Sequence, residues 1–194
     1  MAAETISQGL PEGLQDNAYA FARATFDYLH LTVAYDKNAP VDNPRDGARC
    51  LTDKKGDCDE QTNAYLSILR TKNIPGWYVF GLLTGYDFDS TSWEAHAWGY
   101  IQLPMSDEWC ESKNIKLSSC FVNAQVDVVN NKWLLSTTTG YIDWIEEYTT
   151  DAENVYNYYR PREGNLDRDR IYNTVGDVEL RQGSFSVKKY PEYF

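Results

Sequence analysis

The chain has few histidines, no long apolar run and no basic cluster. Its 194 residues include only two histidines and carry a formal net charge of −11. A chain of this charge is repelled by phosphate backbones, and no basic run with interleaved aromatic residues is present, so the sequence argues against a nucleic-acid partner. No segment is as long and as apolar as a membrane span requires. An acidic surface is compatible with neutral or basic substrates but does not identify one.

The first residues also lack the features of a secretory leader. Residues 1–7 have neither a basic n-region nor an apolar h-region, so no signal peptide is predicted. From the sequence we expect either a cytoplasmic protein or a domain excised from an extracellular parent.

Cysteine pairs with the spacing of a metal site are missing as well. The four cysteines, Cys50, Cys58, Cys110 and Cys120, include no Cys-x-x-Cys pair, so no zinc site and no other cofactor is predicted. Cys110 and Cys120 flank a polar segment that we interpret as a loop. Either they form a disulfide, which would imply an oxidising compartment, or they are two buried thiols.

What the chain does have is enough apolar material for one sizeable core. Hydrophobic residues make up 42% of the sequence and aromatic residues 14%. This composition and length predict a single domain over residues 1–194. We expect its core to run from about residue 18 to 139, and the charged, tyrosine-rich residues 146–194 to form a C-terminal extension around it.

Hydrophobic periodicity predicts helices first and strands afterwards. Two stretches have mostly helical spacing, and four have the alternation or composition of strands: helices at 17–35 and 57–70, and strands at 77–83, 93–103, 121–129 and 133–138. We also predict a helix over residues 141–148. Helices followed by a run of strands predict an α+β fold, with an antiparallel sheet packed on the second helix.

Cys58 lies at the start of that second helix. Asp57 and Glu60 have the spacing of an Asp-x-x-Glu capping box, which marks a helix N-terminus. The unpaired N–H groups and the dipole there favour negative charge, so we expect the pKa of the Cys58 thiol to lie below its reference value of about 8.5. The alternative is structural, because a free cysteine is often a small buried hydrophobe.

His96 is the histidine whose position suits a catalytic pair. It projects from the predicted strand 93–103 among aromatic residues, whereas His30 ends the first helix, where a surface or capping role is expected. A cysteine at a helix start, opposite a histidine on a strand, can form a thiolate–imidazolium pair.

Several motifs in the same order resemble the transglutaminase-like superfamily. They are Gly56-Asp57-Cys58, Leu69-Arg70 before Ile74-Pro75, a strand with Gly81, and His96-Ala97-Trp98. The resemblance implies a papain-like α+β fold in which Cys58 is the nucleophile and His96 the general base. Asn73 stands where the family usually has glycine.

The third member of the family's triad is missing from its usual place. The family has an aspartate a few residues after a tryptophan on the strand that follows the histidine, and here the residues after Trp133 are Ser136 and Thr137. We take Thr137 as the orienting group, with Ser136, Asp127 and Asp143 as alternatives. A hydroxyl can accept the same hydrogen bond, but it stabilises an imidazolium less than a carboxylate does.

The activity that the resemblance implies is acyl transfer from an amide or peptide bond through a thioester on Cys58. Water as acceptor gives a peptidase or amidase, which we favour, and an amine gives a protein-glutamine transglutaminase. The substrate would be a protein or peptide. The oxyanion would bind the Cys58 N–H and a second donor, Tyr35 or a residue of 36–47. The alternative is a catalytically degenerate module that binds peptide or glycan, which the lack of an acid near Thr137 favours.

Overall fold

The computed structural model describes residues 2–39, 45–83, 94–135 and 141–145. These ranges contain five α-helices: α1 Ala2–Gly9, α2 Ala18–Thr32, α3 Gly47–Asp53, α4 Cys58–Arg70 and α5 Asp107–Ser112. They also contain seven strands: β1 Ala34–Tyr35, β2 Lys55–Gly56, β3 Gly76–Leu83, β4 Glu94–Pro104, β5 Phe121–Asp127, β6 Lys132–Leu135 and β7 Tyr141–Ile145.

The main sheet has five strands in the order β6-β5-β4-β3-β7, and every neighbouring pair is antiparallel. Helix α4 packs on one face of this sheet. A methyl group added at Gly76 would lie 2.7 Å from Leu66 of α4, and one added at Gly99 would lie 3.6 Å from both Leu66 and Tyr65. The small residues on β3 and β4 therefore let the helix approach, and the α+β prediction is confirmed.

Helix α4 begins and ends with local signals that the sequence carries. The Asp57 side chain accepts from the Glu60 N–H, and the Glu60 side chain accepts from the Asp57 N–H, which completes the predicted capping box. At the other end Asn73 has φ of 56°, in the left-handed region. Glycine and asparagine tolerate that region best, which explains why Asn73 can stand where the family has glycine.

The core between α2 and α4 forms one apolar cluster. Phe21, Phe26 and Leu29 from α2 are at most 1% exposed and pack with Tyr65 and Leu69 from α4. The Tyr65 hydroxyl is satisfied because it donates to the Ala22 carbonyl oxygen at 3.3 Å. This packing fixes the direction of α4 and therefore the position of its first residue, Cys58.

Residues 141–145 form a strand, so the helix predicted over 141–148 is wrong there. Strand β7 pairs with the edge of β3, with Gly81 opposite Asp143. A short apolar stretch has too few residues for its periodicity to distinguish a strand from a helix. In the folded protein this stretch forms a strand because it pairs with the edge of β3. The sheet thus extends beyond the predicted core limit at residue 139. Residues 146–194, predicted as an extension, lie outside the described residues.

The segment between β4 and β5 is more ordered than the predicted loop. It contains α5 and a 3₁₀ turn at Leu117–Ser119, and a disulfide joins Cys110 to Cys120. The Met105 N–H also donates to the Cys120 carbonyl oxygen at 3.1 Å, so the bridge lies at the base of the β4–β5 connection. The structure thus selects the disulfide over two buried thiols.

Candidate active site

Cys58 is the first residue of α4, and it faces the strand that carries His96. The backbone N–H of Ala97, the residue next to His96, lies near the half-buried thiol and lowers its pKa. One turn further along α4, the Thr62 hydroxyl donates to the Ala97 carbonyl oxygen at 3.2 Å. The first two turns of α4 therefore lie against the backbone of β4 at Ala97, the residue next to His96 in the chain.

Close packing explains why the residue two positions before Cys58 is a glycine, Gly56. A Cβ at this position would lie 2.7 Å from the Cys50 sulfur and 2.9 Å from the Glu60 Cβ, closer than real Cβ atoms come. Glycine therefore allows the chain to enter α4 against Cys50 and Glu60. The Gln61 amide donates to the Gly56 carbonyl oxygen at 2.8 Å and fixes this entry further.

His96 pairs with Asp127, which lies on the neighbouring strand β5. The Nε2 atom of His96 is 2.8 Å from the Oδ2 atom of Asp127, and the two residues are 8% and 1% exposed. Burial alone would raise the pKa of Asp127, but the hydrogen bonds from His96 and Asn130 outweigh it, and the pKa is lowered. Asp127 is thus a carboxylate that can orient the imidazole and stabilise its protonated form.

The turn after β5 holds the Asp127 carboxylate in place. The Asn130 backbone N–H donates to Oδ1 at 3.1 Å, and the Asn130 side-chain Nδ2 donates to Oδ2 at 2.8 Å. The same Nδ2 lies 3.1 Å from His96 Nε2. Asn130 therefore contacts both members of the pair, a role that was not predicted from the sequence because residues 130–132 lie between two predicted strands.

Trp98 supports the His96 ring from the same face of β4. The two rings stack with centroids 5.7 Å apart and an angle of 27° between their planes. Trp98 is itself fully buried, and its indole N–H donates to Gln125 at 3.0 Å. Trp98 is therefore a core residue that packs against the histidine ring.

The electrostatic setting of Cys58 contradicts the expected low thiol pKa. Burial raises the pKa of Cys58, and the carboxylates of Asp59 and Asp57 raise it further. The N–H groups of Ala97 and Asp59 lower it, but by less. The thiol donates to Asp59 Oδ1 at 3.8 Å, and Tyr78 holds that oxygen through a 2.7 Å hydrogen bond. The expectation was wrong because it counted the helix dipole alone and not the flanking acids and burial.

Tyr35 borders the same region from β1, which pairs with β2 so that Tyr35 lies opposite Gly56. Burial raises the pKa of Tyr35 to about 12, and the nearby carboxylates of Asp57 and Glu94 add to the effect. The side chain is nevertheless 52% exposed. At neutral pH its phenol is protonated and can donate a hydrogen bond beside Cys58.

The structure places the other predicted site residues as follows. Thr137 and Ser136 lie outside the described residues, so the role assigned to Thr137 stays a prediction. Asp143 occupies β7, opposite Gly81, and Gly81 in turn lies opposite His96. His30 is exposed at the end of α2, and its Nδ1 lies 3.1 Å from the Val128 carbonyl oxygen. Among the described residues, the observed carboxylate partner of His96 is Asp127.

Neither a metal-binding cluster nor a membrane-spanning helix is present in residues 2–39, 45–83, 94–135 and 141–145. These residues include no group of three or more His, Cys, Asp or Glu side chains that could hold a metal ion. None of their helices combines the length and the apolar character needed to cross a membrane.

Comparison with known proteins identifies the family. The sequence profile of the transglutaminase-like superfamily matches residues 4–112, more than half of the chain, and this protein belongs to that superfamily. Membership supports a general role as a cysteine enzyme. No curated protein matches the chain.

One solved structure similar to this chain comes from Cytophaga hutchinsonii, and its assignment as a cysteine protease is itself provisional. It is 15% identical, with a TM-score of 0.46, and the match covers 73% of this chain and 38% of that protein. The chain thus spans well under half of that protein's length.

Proposed function

We propose that this protein is a cysteine enzyme that transfers an acyl group from an amide or peptide bond to water, as a peptidase or amidase, with Cys58 as nucleophile and His96 as base. The observation that carries the proposal is the buried His96–Asp127 pair on β4 and β5, which Asn130 holds from the following turn and which adjoins Ala97, the residue near Cys58. A histidine that is oriented by a carboxylate can activate a neighbouring cysteine as a nucleophile.

Asp127, one of the alternatives to Thr137, is the group that we propose orients the imidazole. Its lowered pKa keeps it ionised at neutral pH, so it favours the Nε2–H tautomer of His96 and stabilises the imidazolium that forms later. The other ring nitrogen, Nδ1, then acts as the base. A carboxylate stabilises the imidazolium more than a hydroxyl would, and this favours an active enzyme over a degenerate one.

The raised pKa of Cys58 means that the resting nucleophile is a thiol. In the proposed reaction His96 accepts the thiol proton while sulfur bonds to the carbonyl carbon and the carbonyl π electrons move to oxygen. The Cys58 N–H and the Tyr35 hydroxyl stabilise that oxyanion. The C–N bond then breaks, the leaving amine takes the proton from His96, and a thioester remains on Cys58. Water, deprotonated by His96, then attacks the thioester carbonyl carbon. The C–S bond breaks, His96 returns the proton to the Cys58 sulfur, and the acid is released.

The competing proposal is a binding module that retains the family's residues without their activity. The specific observation in its favour is the pair of acids, Asp57 and Asp59, that raise the pKa of the Cys58 thiol together with its burial. In that case the same cleft would hold a peptide or glycan without forming a covalent bond.

Trapping the acyl-enzyme tests the proposal. The wild-type protein is mixed with a panel of peptide anilides and p-nitrophenyl esters, quenched in acid, and analysed by intact-protein and peptide mass spectrometry. We expect an acyl mass on Cys58 in the wild type and in the control Cys50→Ser, and none in Cys58→Ser. Turnover that persists in Cys58→Ser, or wild-type protein that binds peptide without any acyl adduct, would favour the binding module or another nucleophile.

The acceptor is tested in the same assay. A primary amine such as cadaverine is added to the thioester, and the products are separated by mass. Free acid as the main product supports the peptidase or amidase assignment, whereas the amide of cadaverine identifies a transglutaminase.

A further inference from the structure

Glu60 is a buried carboxylate with more hydrogen bonds than its capping role needs. Its side chain is fully buried, and it accepts from the Arg45 N–H and Nε at 2.8 Å each, from Arg45 Nη2 at 2.8 Å, and from the Asp57 N–H at 3.2 Å. Burial would raise the pKa of Glu60, but the bonds from Arg45 outweigh it and the pKa is lowered. Glu60 is therefore an ionised group fixed from several directions.

Arg45 links Glu60 to the end of strand β1, which contains Tyr35. Its Nη2 also donates to Asp36 Oδ2 at 2.8 Å, and Asp36 directly follows Tyr35. The Asp36 backbone N–H donates to the Gly56 carbonyl oxygen at 3.0 Å, and Lys55 lies 3.3 Å from the Asp36 carboxylate. A continuous set of charged hydrogen bonds thus links Tyr35–Asp36, Arg45 and the first turn of α4.

Helix stability alone does not require this arrangement. The capping box needs only Asp57 and Glu60, and a buried ion pair is often no more stabilising than apolar residues of the same volume. What the ion pairs do supply is geometry, since a planar guanidinium holds a carboxylate in a fixed orientation. This set of hydrogen bonds ends beside two groups, the proposed nucleophile Cys58 and the phenol of Tyr35.

We propose that Arg45 and Glu60 are positioning residues that hold the Tyr35 hydroxyl and the Cys58 sulfur in register across the active site. The inference rests on the proposed function, because it gives that alignment a purpose in binding the oxyanion. Arg45 and Glu60 act through Tyr35 and Cys58 and do not touch the substrate themselves.

The test is a double-mutant cycle read out by alkylation of Cys58 with iodoacetamide, followed by peptide mass spectrometry. Tyr35→Phe is made in three backgrounds: wild type, Arg45→Met, and the control Arg23→Met, which breaks an ion pair with Asp27 on α2. Circular dichroism and urea unfolding establish that each variant is folded at the assay temperature. Arg45→Lys, which keeps the charge but not the fork of donors, serves as the conservative variant.

We expect Tyr35→Phe to change the alkylation rate by about threefold or more in the wild type and in Arg23→Met, and by much less in Arg45→Met. Arg45→Lys should restore part of the effect. A purely structural role would lower the stability of Arg45→Met but leave the effect of Tyr35→Phe equal in all three backgrounds, which would overturn the proposal. An alkylation rate indifferent to Tyr35→Phe in the wild type would overturn it too.

Alkylation needs only the thiol and no turnover. The cycle therefore gives its answer even if the acyl-enzyme is never trapped, and failure of the proposed chemistry is distinguishable from failure of the positioning role.

Discussion

His96 and Asp127 share a 2.8 Å hydrogen bond although 31 residues separate them in the chain. The pairing of β4 with β5, which sets Gly99 opposite Val126, places both side chains on the same face of the sheet. The strand that pairs with β4 on this side is β5, and its last residue, Asp127, is the carboxylate that contacts His96.

Removal of the Asp127 carboxylate should abolish most of the activity. In Asp127→Ala the imidazole loses its orienting partner and the charge that stabilises its protonated form, so we expect kcat/KM for the best anilide substrate to fall by about 10²-fold to 10⁴-fold. Thr137→Val is the matched comparison and should fall by less than about threefold. The reverse ranking would assign the orienting role to Thr137.

Stability should decrease at acid pH, and Asp127 should account for part of the decrease. Its folded pKa is lowered from 3.8, so the unfolded chain binds the proton more readily. Ionised Asp127 therefore stabilises the folded protein fully from about one to two pH units above 3.8. This stabilisation is lost as the pH falls through the lower pKa of the folded state.

Urea unfolding of the wild type and of Asp127→Asn between pH 7 and pH 3 measures this contribution. We expect the difference in unfolding free energy between the two proteins to be constant near neutrality and to shrink on acidification. A difference that grows towards acid pH would mean that the folded pKa of Asp127 is raised.

Neutralising Asp59 should make the Cys58 thiol more reactive. The Asp59 carboxylate lies 3.8 Å from the sulfur and disfavours the thiolate. In Asp59→Asn the thiol pKa falls, and we expect iodoacetamide to alkylate Cys58 roughly tenfold faster at pH 8, the effect of one close like charge. Glu4→Gln, on the exposed face of α1, is the charge-matched control and should leave the pH profile unchanged. An unchanged profile in Asp59→Asn would leave burial as the cause of the raised pKa.

The disulfide should contribute to stability without affecting the nucleophile. Cys110 and Cys120 close a loop with a sequence separation of 10, which by chain entropy is worth about 3 kcal/mol. The double variant Cys110→Ser/Cys120→Ser should therefore lose about 2–3 kcal/mol of unfolding free energy in urea. Its rate of Cys58 alkylation at 25 °C should match that of the wild type, because the bridge belongs to the β4–β5 connection. A large change in that rate would place the bridge in the active-site framework.

Asn73 offers a test of the helix end. Its φ of 56° lies in the left-handed region, where the Cβ atom of most residues causes steric strain and glycine, which has no Cβ, is unstrained. We expect Asn73→Gly to raise the unfolding free energy by a few tenths of a kcal/mol and Asn73→Ala to lower it by about 1 kcal/mol. Equal stability of the glycine and alanine variants would show that residue 73 relaxes out of the left-handed region.

Elements with strong local signals could be predicted from the sequence. The capping box of Asp57 and Glu60 placed the start of α4 and put Cys58 at its first residue, because a cap depends only on residues three apart. The alternation along residues 94–103 likewise predicted β4 and the shared face of His96 and Trp98. Both patterns involve neighbours in the chain, so the α+β class followed from the sequence by itself.

Only the tertiary structure decided which groups meet at the site. Asp127 reaches His96 through the strand register, and β7 exists because β3 has an edge to pair with. The sequence shows a helix start that favours a thiolate, but burial and the Asp59 carboxylate held by Tyr78 reverse the direction of the Cys58 pKa. Local sequence determines backbone conformation, whereas the charge and the partner of a side chain depend on residues that only folding brings near.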